Sequence, residues 1–174
     1  MTTLTSKTAD PVLVTARLVL RRPASGDLDD LFAIYSDPRA MRYWSTLPHD
    51  SPAVTSRSLD GMIAQTPLTY FALDLNGRVI GCAGLYRDEE VGFILHPDHW
   101  RQGYVTEAMN AIIPYLFATT QVPHLMADID PRNTASAAAL TALGFIETHR
   151  AKRTYCIGGV WSDSAYYALQ RPNT

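Results

Sequence analysis

Apolar positions along the chain change their period several times, and each change marks an element. Arg17-Leu18-Val19-Leu20-Arg21 is short and β-prone and stops at Pro23, which predicts a first strand. Behind Ser25-Gly26-Asp27, which supplies capping chemistry, Leu28, Leu31, Phe32 and Tyr35 recur at helical spacing. Asp29 and Asp30 fall in the first turn of that helix, where its dipole favours anions, and Asp37-Pro38 ends it. Ser51-Pro52 starts a second helix, with proline at the first helical position, running through Met62-Ile63. Between the two lies an aromatic stretch, Tyr43-Trp44, followed by Pro48-His49.

The middle of the chain changes to strand patterning. Residues 70–75 and 79–85 flank Asn76-Gly77, a strong hairpin signal, and 91–95 form a third strand after Arg87-Asp88-Glu89-Glu90. From Thr106 to about Thr119, Met109, Ile112, Ile113, Leu116 and Phe117 make one apolar helical stripe, in which Pro114 predicts a kink. A strand at 125–129, an Ala-rich helix from Ser136 to Leu143 stopped by Gly144, and two strands at about 151–157 and 164–169 joined across Gly158-Gly159 complete the pattern. The order β-α-α-β-β-β-α-β-α-β-β is that of a single mixed α+β domain over residues 12–171. Residues 1–11, polar and rich in threonine, read as a loose tail.

Composition narrows the class. A chain of 174 residues with 47% hydrophobic and 18% charged residues is globular and long enough to bury a core. A formal net charge of -2 offers no basic field for a nucleic-acid backbone. No apolar stretch approaches the roughly 20 residues of a membrane span, and the start of the chain lacks the apolar run of a signal peptide. Cys82 and Cys156 are too few for a disulfide framework, so the expectation is a reduced, cytoplasmic protein with no nucleic-acid or membrane partner. Whether it is a monomer or a homodimer stays open.

Candidate chemistry concentrates after the third strand. Leu95 leads into the loop His96-Pro97-Asp98-His99-Trp100-Arg101-Gln102-Gly103-Tyr104, and a helix begins near Thr106. Free N–H groups and the positive end of the dipole make such a helix start an anion site. Gly103 lets a phosphate approach the main chain, and Arg101 adds a charge-assisted contact. Taken alone, the segment fits any phosphate-bearing ligand or a tight turn. A nucleotide-binding loop with Lys-Ser/Thr is absent. His96 and His99 have no carboxylate or cysteine partners at ligand spacing, so no metal is expected.

The wider run Glu90-Val91-Gly92-Phe93-Ile94-Leu95-His96-Pro97…Trp100-Arg101-Gln102-Gly103-Tyr104-Val105-Thr106-Glu107-Ala108 closely resembles the acetyl-CoA signature of the GNAT acetyltransferases. It is most similar to the RimJ/RimL branch, which acetylates ribosomal-protein N-termini. Thr15 to Arg21, Asn133-Thr134-Ala135-Ser136 with Leu143-Gly144-Phe145, and Gly159 to Asp163 resemble further motifs of that branch in the same order. Arg101 and Val105 depart from the pattern, standing where it has glycine and a small residue.

The resemblance implies a GNAT fold: a mixed, mostly antiparallel sheet flanked by helices, with a splayed strand pair at the cofactor site. It implies acetyl-CoA as co-substrate and a primary amine, on a protein N-terminus or a small molecule, as acceptor. The donor would be held by Phe93, Ile94 and Leu95, by Arg101, Gln102, Gly103, Tyr104, Val105 and Thr106, and by Asn133, with the Leu95 N–H as oxyanion donor. Glu90 matches the general base, against a plain reading as a solvated turn residue. Ser136 is the candidate donor to the leaving sulfur or a residue of helix-capping chemistry, and Asn133 is equally readable as an N-cap. The family's helix tyrosine is replaced by Leu140. Tyr43, Trp44 and Trp161 are expected to line the acceptor groove or to pack in the core; for Tyr70 the core reading is preferred. Cys156 reads as buried strand structure, since the family transfers acetyl directly, without a covalent enzyme intermediate. A non-catalytic acyl-CoA-binding regulator on the same fold is the alternative.

Overall fold

The computed structural model describes residues 12–172, so the expected tail at residues 1–11 lies outside the described residues. Eight strands form one sheet: β1 (Leu13–Val14), β2 (Val19–Arg21), β3 (Tyr70–Leu75), β4 (Arg78–Arg87), β5 (Glu90–Leu95), β6 (His124–Ile129), β7 (Ile146–Ile157) and β8 (Val160–Gln170). Their order across the sheet is β1-β2-β3-β4-β5-β6-β8-β7, and every pairing is antiparallel except β5 with β6. Four helices flank it: α1 (Leu28–Tyr35), α2 (Pro52–Ala64), α3 (Tyr104–Thr119) and α4 (Thr134–Ala142).

Two apolar clusters form on the sheet. Leu31, Ile34 and Leu59 of α1 and α2 pack with Tyr70, Ala72, Cys82 and Ile94. Met109, Ile112 and Leu116 of α3 and Leu140 of α4 pack with Phe71, Leu73, Ile80, Ala83, Val91 and Leu95. Alternate residues of β3 to β5 therefore face different clusters. Covered on both faces, these central strands read as nearly continuous apolar runs instead of an alternation. Full burial of each large aliphatic side chain contributes about 1.5–3 kcal/mol.

Local signals act where they were expected. Asn76 and Gly77 both adopt positive φ, 54° and 85°, which turns β3 into β4 with the twist the hairpin needs. Pro52 stands at the start of α2 behind Ser51. Asn133 caps α4, its Oδ1 accepting the Ser136 N–H at 3.1 Å, and the helix starts at Thr134, two residues before the patterned stretch.

The helix assignment of α3 continues through Pro114, and Asn110, whose carbonyl loses its helical partner there, is exposed, so water can satisfy it. Two expectations need correction. The last two strands are longer than the sequence predicts, because Glu147-Thr148-His149-Arg150 is polar edge strand with no buried face to impose an alternation. Cys156 is exposed rather than buried, opposite Trp161 on that same edge hairpin; Cys82 is buried, and both are free thiols. No helix among the described residues is long and apolar enough to cross a membrane.

Candidate active site

The parallel neighbours β5 and β6 meet at one rung, Glu90 with Met126, and then part. The His96 N–H donates to the Ile80 carbonyl at 2.8 Å, in register with the Cys82–Ile94 and Gly84–Gly92 pairs, so even-numbered residues of β5 spend their main-chain groups on β4. The Met126 N–H donates to the Glu89 carbonyl at 2.8 Å, so odd-numbered residues turn towards β6. Beyond the rung nothing in β6 is paired with them. The Leu95 carbonyl takes the Trp100 Nε1–H at 2.9 Å. This leaves the Phe93 N–H and carbonyl and the Leu95 N–H facing the gap. Ile94 belongs to the same strand, but its main chain faces β4 and its side chain the α1–α2 core.

The gap leads to the start of α3. Gly103 is its N-cap with φ 79°, and no side chain caps its first turn, so the N–H groups of Tyr104, Val105 and Thr106 stay available to an anion. Arg101 also has positive φ, 59°, which explains the glycine that stands at this place in the resembling motif: here a residue with a Cβ accepts strain of about 1–2 kcal/mol. Gln102 contributes structure as well, its Nε2 donating to the Asp98 carbonyl at 3.1 Å and its own carbonyl accepting from Arg17 at 2.9 Å. The Tyr104 ring is buried beneath the Arg17 guanidinium, 4.1 Å from the ring centroid, and Val105 packs on the core. Thus Tyr104 and Val105 have only their main chain free to meet an anion. Glu107, an acid in this first turn, is already matched by the Thr15 hydroxyl, the Arg17 N–H and the Arg17 Nε, at 2.6, 2.8 and 2.7 Å. Burial works against that charge, but these three donors hold its carboxyl below the ordinary range.

On the other side of the same rung lies a cavity of about 750 Å³. Tyr43, Trp44 and Glu90 line it. Gly92 forms part of its wall: a Cβ there would stand 3.2 Å from the Tyr86 ring and 4.0 Å from Trp44. Tyr70 is buried in the α1–α2 core and shows one edge to the cavity. Trp161 does not line it. The alternation that turns Val160 and Ser162 to the cavity turns Trp161 to the opposite face of the hairpin, where Arg153 covers its ring at 5.0 Å.

Several cavity residues escaped the sequence reading. Tyr86 is the extra residue of a bulge in β4, and its hydroxyl donates to Glu90 Oε1 at 2.6 Å. Burial and this bond to a carboxylate both push the Tyr86 hydroxyl up. Arg87 donates to Glu90 Oε2 through Nε and Nη2, at 3.0 and 2.8 Å. Asp128 lies two residues beyond Met126 and so on the same face as Glu90. Its Oδ2 accepts the Tyr155 hydroxyl at 3.0 Å, while Oδ1 is shielded from solvent and has no hydrogen-bond partner. Burial pushes the Asp128 carboxyl above its ordinary value against the Ser164 and Tyr155 hydroxyls, and the charge of Glu90 adds to the rise. Burial and Asp128 in turn push Tyr155 up to about 12. The one signal for Asp128 in the sequence is its phase: Leu125 and Ala127 are the buried core face of β6, which leaves an acid on the other side of a short apolar strand.

Ser136 and Leu140 divide the roles expected near the leaving sulfur. Ser136 gives its N–H to the cap and keeps an Oγ without a partner among the described residues, whereas Leu140 is fully buried in the core. His96 accepts the Asp98 N–H on its Nδ1 and stands edge-to-face with His99 at 6.2 Å. Among the described residues no group of three or more His, Cys, Asp or Glu is placed to hold a metal.

The sequence model of the acetyltransferase (GNAT) domain matches residues 17–146, three quarters of the chain. The chain belongs to the GNAT acetyltransferase family. Among its relatives, the N-acetyltransferase p20 of Bacillus licheniformis is 28% identical over 76% of this chain and 81% of its own. The [ribosomal protein uS5]-alanine N-acetyltransferase of Escherichia coli (strain K12) is 29% identical over 92% of this chain and 91% of its own. The microcin C7 self-immunity acetyltransferase MccE, solved in complex with acetyl-CoA and AMP, shares the fold with a TM-score of 0.79 at 15% identity, over 90% of this chain and 93% of that one. The GNAT protein thus has the α+β fold expected of it, including the parting of β5 from β6.

Proposed function

We propose that this GNAT protein moves an acetyl group from acetyl-CoA directly to a primary amine, on a protein N-terminus or a small molecule. The observation that carries the reading is the single rung between β5 and β6. It opens unpaired main-chain groups on the donor side and sits beside the carboxylate-lined cavity on the other. Acetyl-CoA supplies an activated thioester. The uncapped start of α3 at Gly103 receives its pyrophosphate, and the Phe93 N–H and carbonyl receive the pantetheine amides. Asn133 has an amide NH2 left over from capping with which to hold the same arm. The Leu95 N–H points to the oxyanion that forms at the thioester carbon, and the free Oγ of Ser136 serves the departing sulfur. A free thiol near 8.5 needs little help to leave at neutral pH. The amine arrives over Gly92, between Tyr43, Trp44 and Tyr86.

The test is release of free thiol from acetyl-CoA by the pure protein with a panel of amines that includes an alanine-started peptide, free amino acids and polyamines. Amine-dependent thiol release with a matching acetylated product is the expected result. Tight binding of acetyl-CoA without thiol release from any amine would replace this reading with that of an acyl-CoA-binding regulator.

A further inference from the structure

Two carboxylates share the cavity, and they are not equivalent. Glu90 of β5 is fully engaged, one oxygen on the Tyr86 hydroxyl and the other on two nitrogens of Arg87. Asp128 of β6 makes no ion pair among the described residues, and Arg87, whose charge reaches it, is already held by Glu90. Of the guanidiniums lining the cavity, Arg132 is held on Asp130 and Ser162, and Arg42 lies over the Tyr43 ring, 5.2 Å from its centroid. One oxygen of Asp128 has no partner and is closed to solvent, so an incoming group meets the side chain at Oδ2, beside the Tyr155 hydroxyl. Burying a charged carboxylate without a partner is costly, and a cationic ligand that completes it removes the cost.

We propose that Asp128 receives the ammonium group of the acceptor and takes its proton, and that Glu90 is a positioning residue that fixes Tyr86 and Arg87 rather than the base. This rests on the transferase reading above and specifies the acceptor's approach within it. The groups acting on Asp128 are Glu90 from β5, Arg87 from β4, Tyr155 from β7 and Ser164 from β8, and Asp130, Arg132 and Asp163 line the same cavity. The positive charges of Arg87 and Arg132 are held by Glu90 and Asp130, so an arriving ammonium would be the cation that binds Asp128 directly. The rings of Trp44, Tyr86 and Tyr155 on the same wall favour a cation over a neutral ligand. Burial also raises the Asp128 carboxyl above its ordinary value, which favours its taking a proton.

In the step itself, the ammonium loses one proton to Oδ2 of Asp128. The freed nitrogen lone pair forms the C–N bond at the thioester carbon, and the C–S bond breaks. A second proton leaves the nitrogen with the sulfur as free thiol, and the proton on Asp128 passes to solvent when product departs. No oxidant, reductant or metal is required.

Asp128→Asn, Asp128→Glu and Glu90→Gln, compared with wild type using whichever amine wild type turns over, test the assignment. Asp128→Asn is expected to lower kcat/KM for the amine by about 10²–10⁴, the range for loss of a general base, and to remove the acid limb of the pH profile. Asp128→Glu is expected to restore part of the rate and the limb. Affinity for acetyl-CoA should stay within about twofold in all three. At neutral pH the melting temperature of Asp128→Asn should equal or exceed that of wild type. A carboxyl raised by folding destabilises its ionised state, and asparagine removes that charge. Glu90→Gln is expected to lose much less than Asp128→Asn and to keep the acid limb. An active wild type with an undiminished Asp128→Asn, or loss of the acid limb in Glu90→Gln alone, would overturn the assignment. A wild type inert with every amine would remove the transferase reading and this one with it.

Discussion

The two sides of the β5–β6 rung are built from different materials. The donor side is main chain: the N–H groups of Phe93 and Leu95, the uncapped first turn of α3, and the left-handed Gly103. The acceptor side is side chain: Tyr43, Trp44, Tyr86, Glu90, Asp128 and Tyr155, drawn from a loop and four strands. A site made of main chain tolerates many side chains, because the fold alone presents the donors. Arg101 can replace a glycine and Val105 a small residue without deleting one N–H group. A site made of side chains has no such tolerance, and on the proposed function it is where specificity for the acceptor would reside.

The sharpest way to break this contrast is at Gly103. A valine there would meet little besides Arg17 Nη2 at 3.6 Å, so the damage comes from φ 79° and from lost phosphate approach. Backbone strain of about 1–3 kcal/mol plus a blocked anion site should weaken acetyl-CoA by about 10²-fold or more, measured by calorimetry. Retained affinity would place the pyrophosphate elsewhere. Next in size is Gly92→Val on the acceptor side. Its Cβ would press on the Tyr86 ring at 3.2 Å, and overpacking of about 1–3 kcal/mol should cut kcat/KM for the amine roughly 10- to 100-fold. Acetyl-CoA affinity should not follow; if both fall together, the two sides are not separable. The smallest effect is at Asn133. Asn133→Ala should cost about 0.5–2 kcal/mol of stability through the lost cap, read from the unfolding midpoint. Asn133→Asp keeps the cap and loses the amide NH2, so a drop of up to about tenfold in acetyl-CoA affinity is expected from one hydrogen bond. No drop would make Asn133 a cap alone.

The same contrast explains which features were legible before the fold was seen. Gly103 ahead of a helix, Asn133 three residues before Ser136 and Asn76-Gly77 between strands are local rules, since each depends on φ or on a bond to a near neighbour. The parting of β5 from β6 entered only through the family resemblance. Nothing in residues 90–95 says where a strand some thirty positions later stops pairing. Trp161 was misplaced because two-fold alternation fixes relative phase in a hairpin, not which face meets the cavity.

By itself the sequence determined the elements, their order and the anion-binding turn, because propensity, capping and glycine act over a few residues. It also singled out Glu90, which the fold places on the cavity wall. Only the tertiary structure decided that Tyr86 and Arg87 occupy Glu90 and that Asp128, on a different strand, keeps a shielded oxygen with no hydrogen-bond partner among the described residues. The charge balance of a cavity is a sum over elements distant in the chain, and it exists only once the sheet has brought them together.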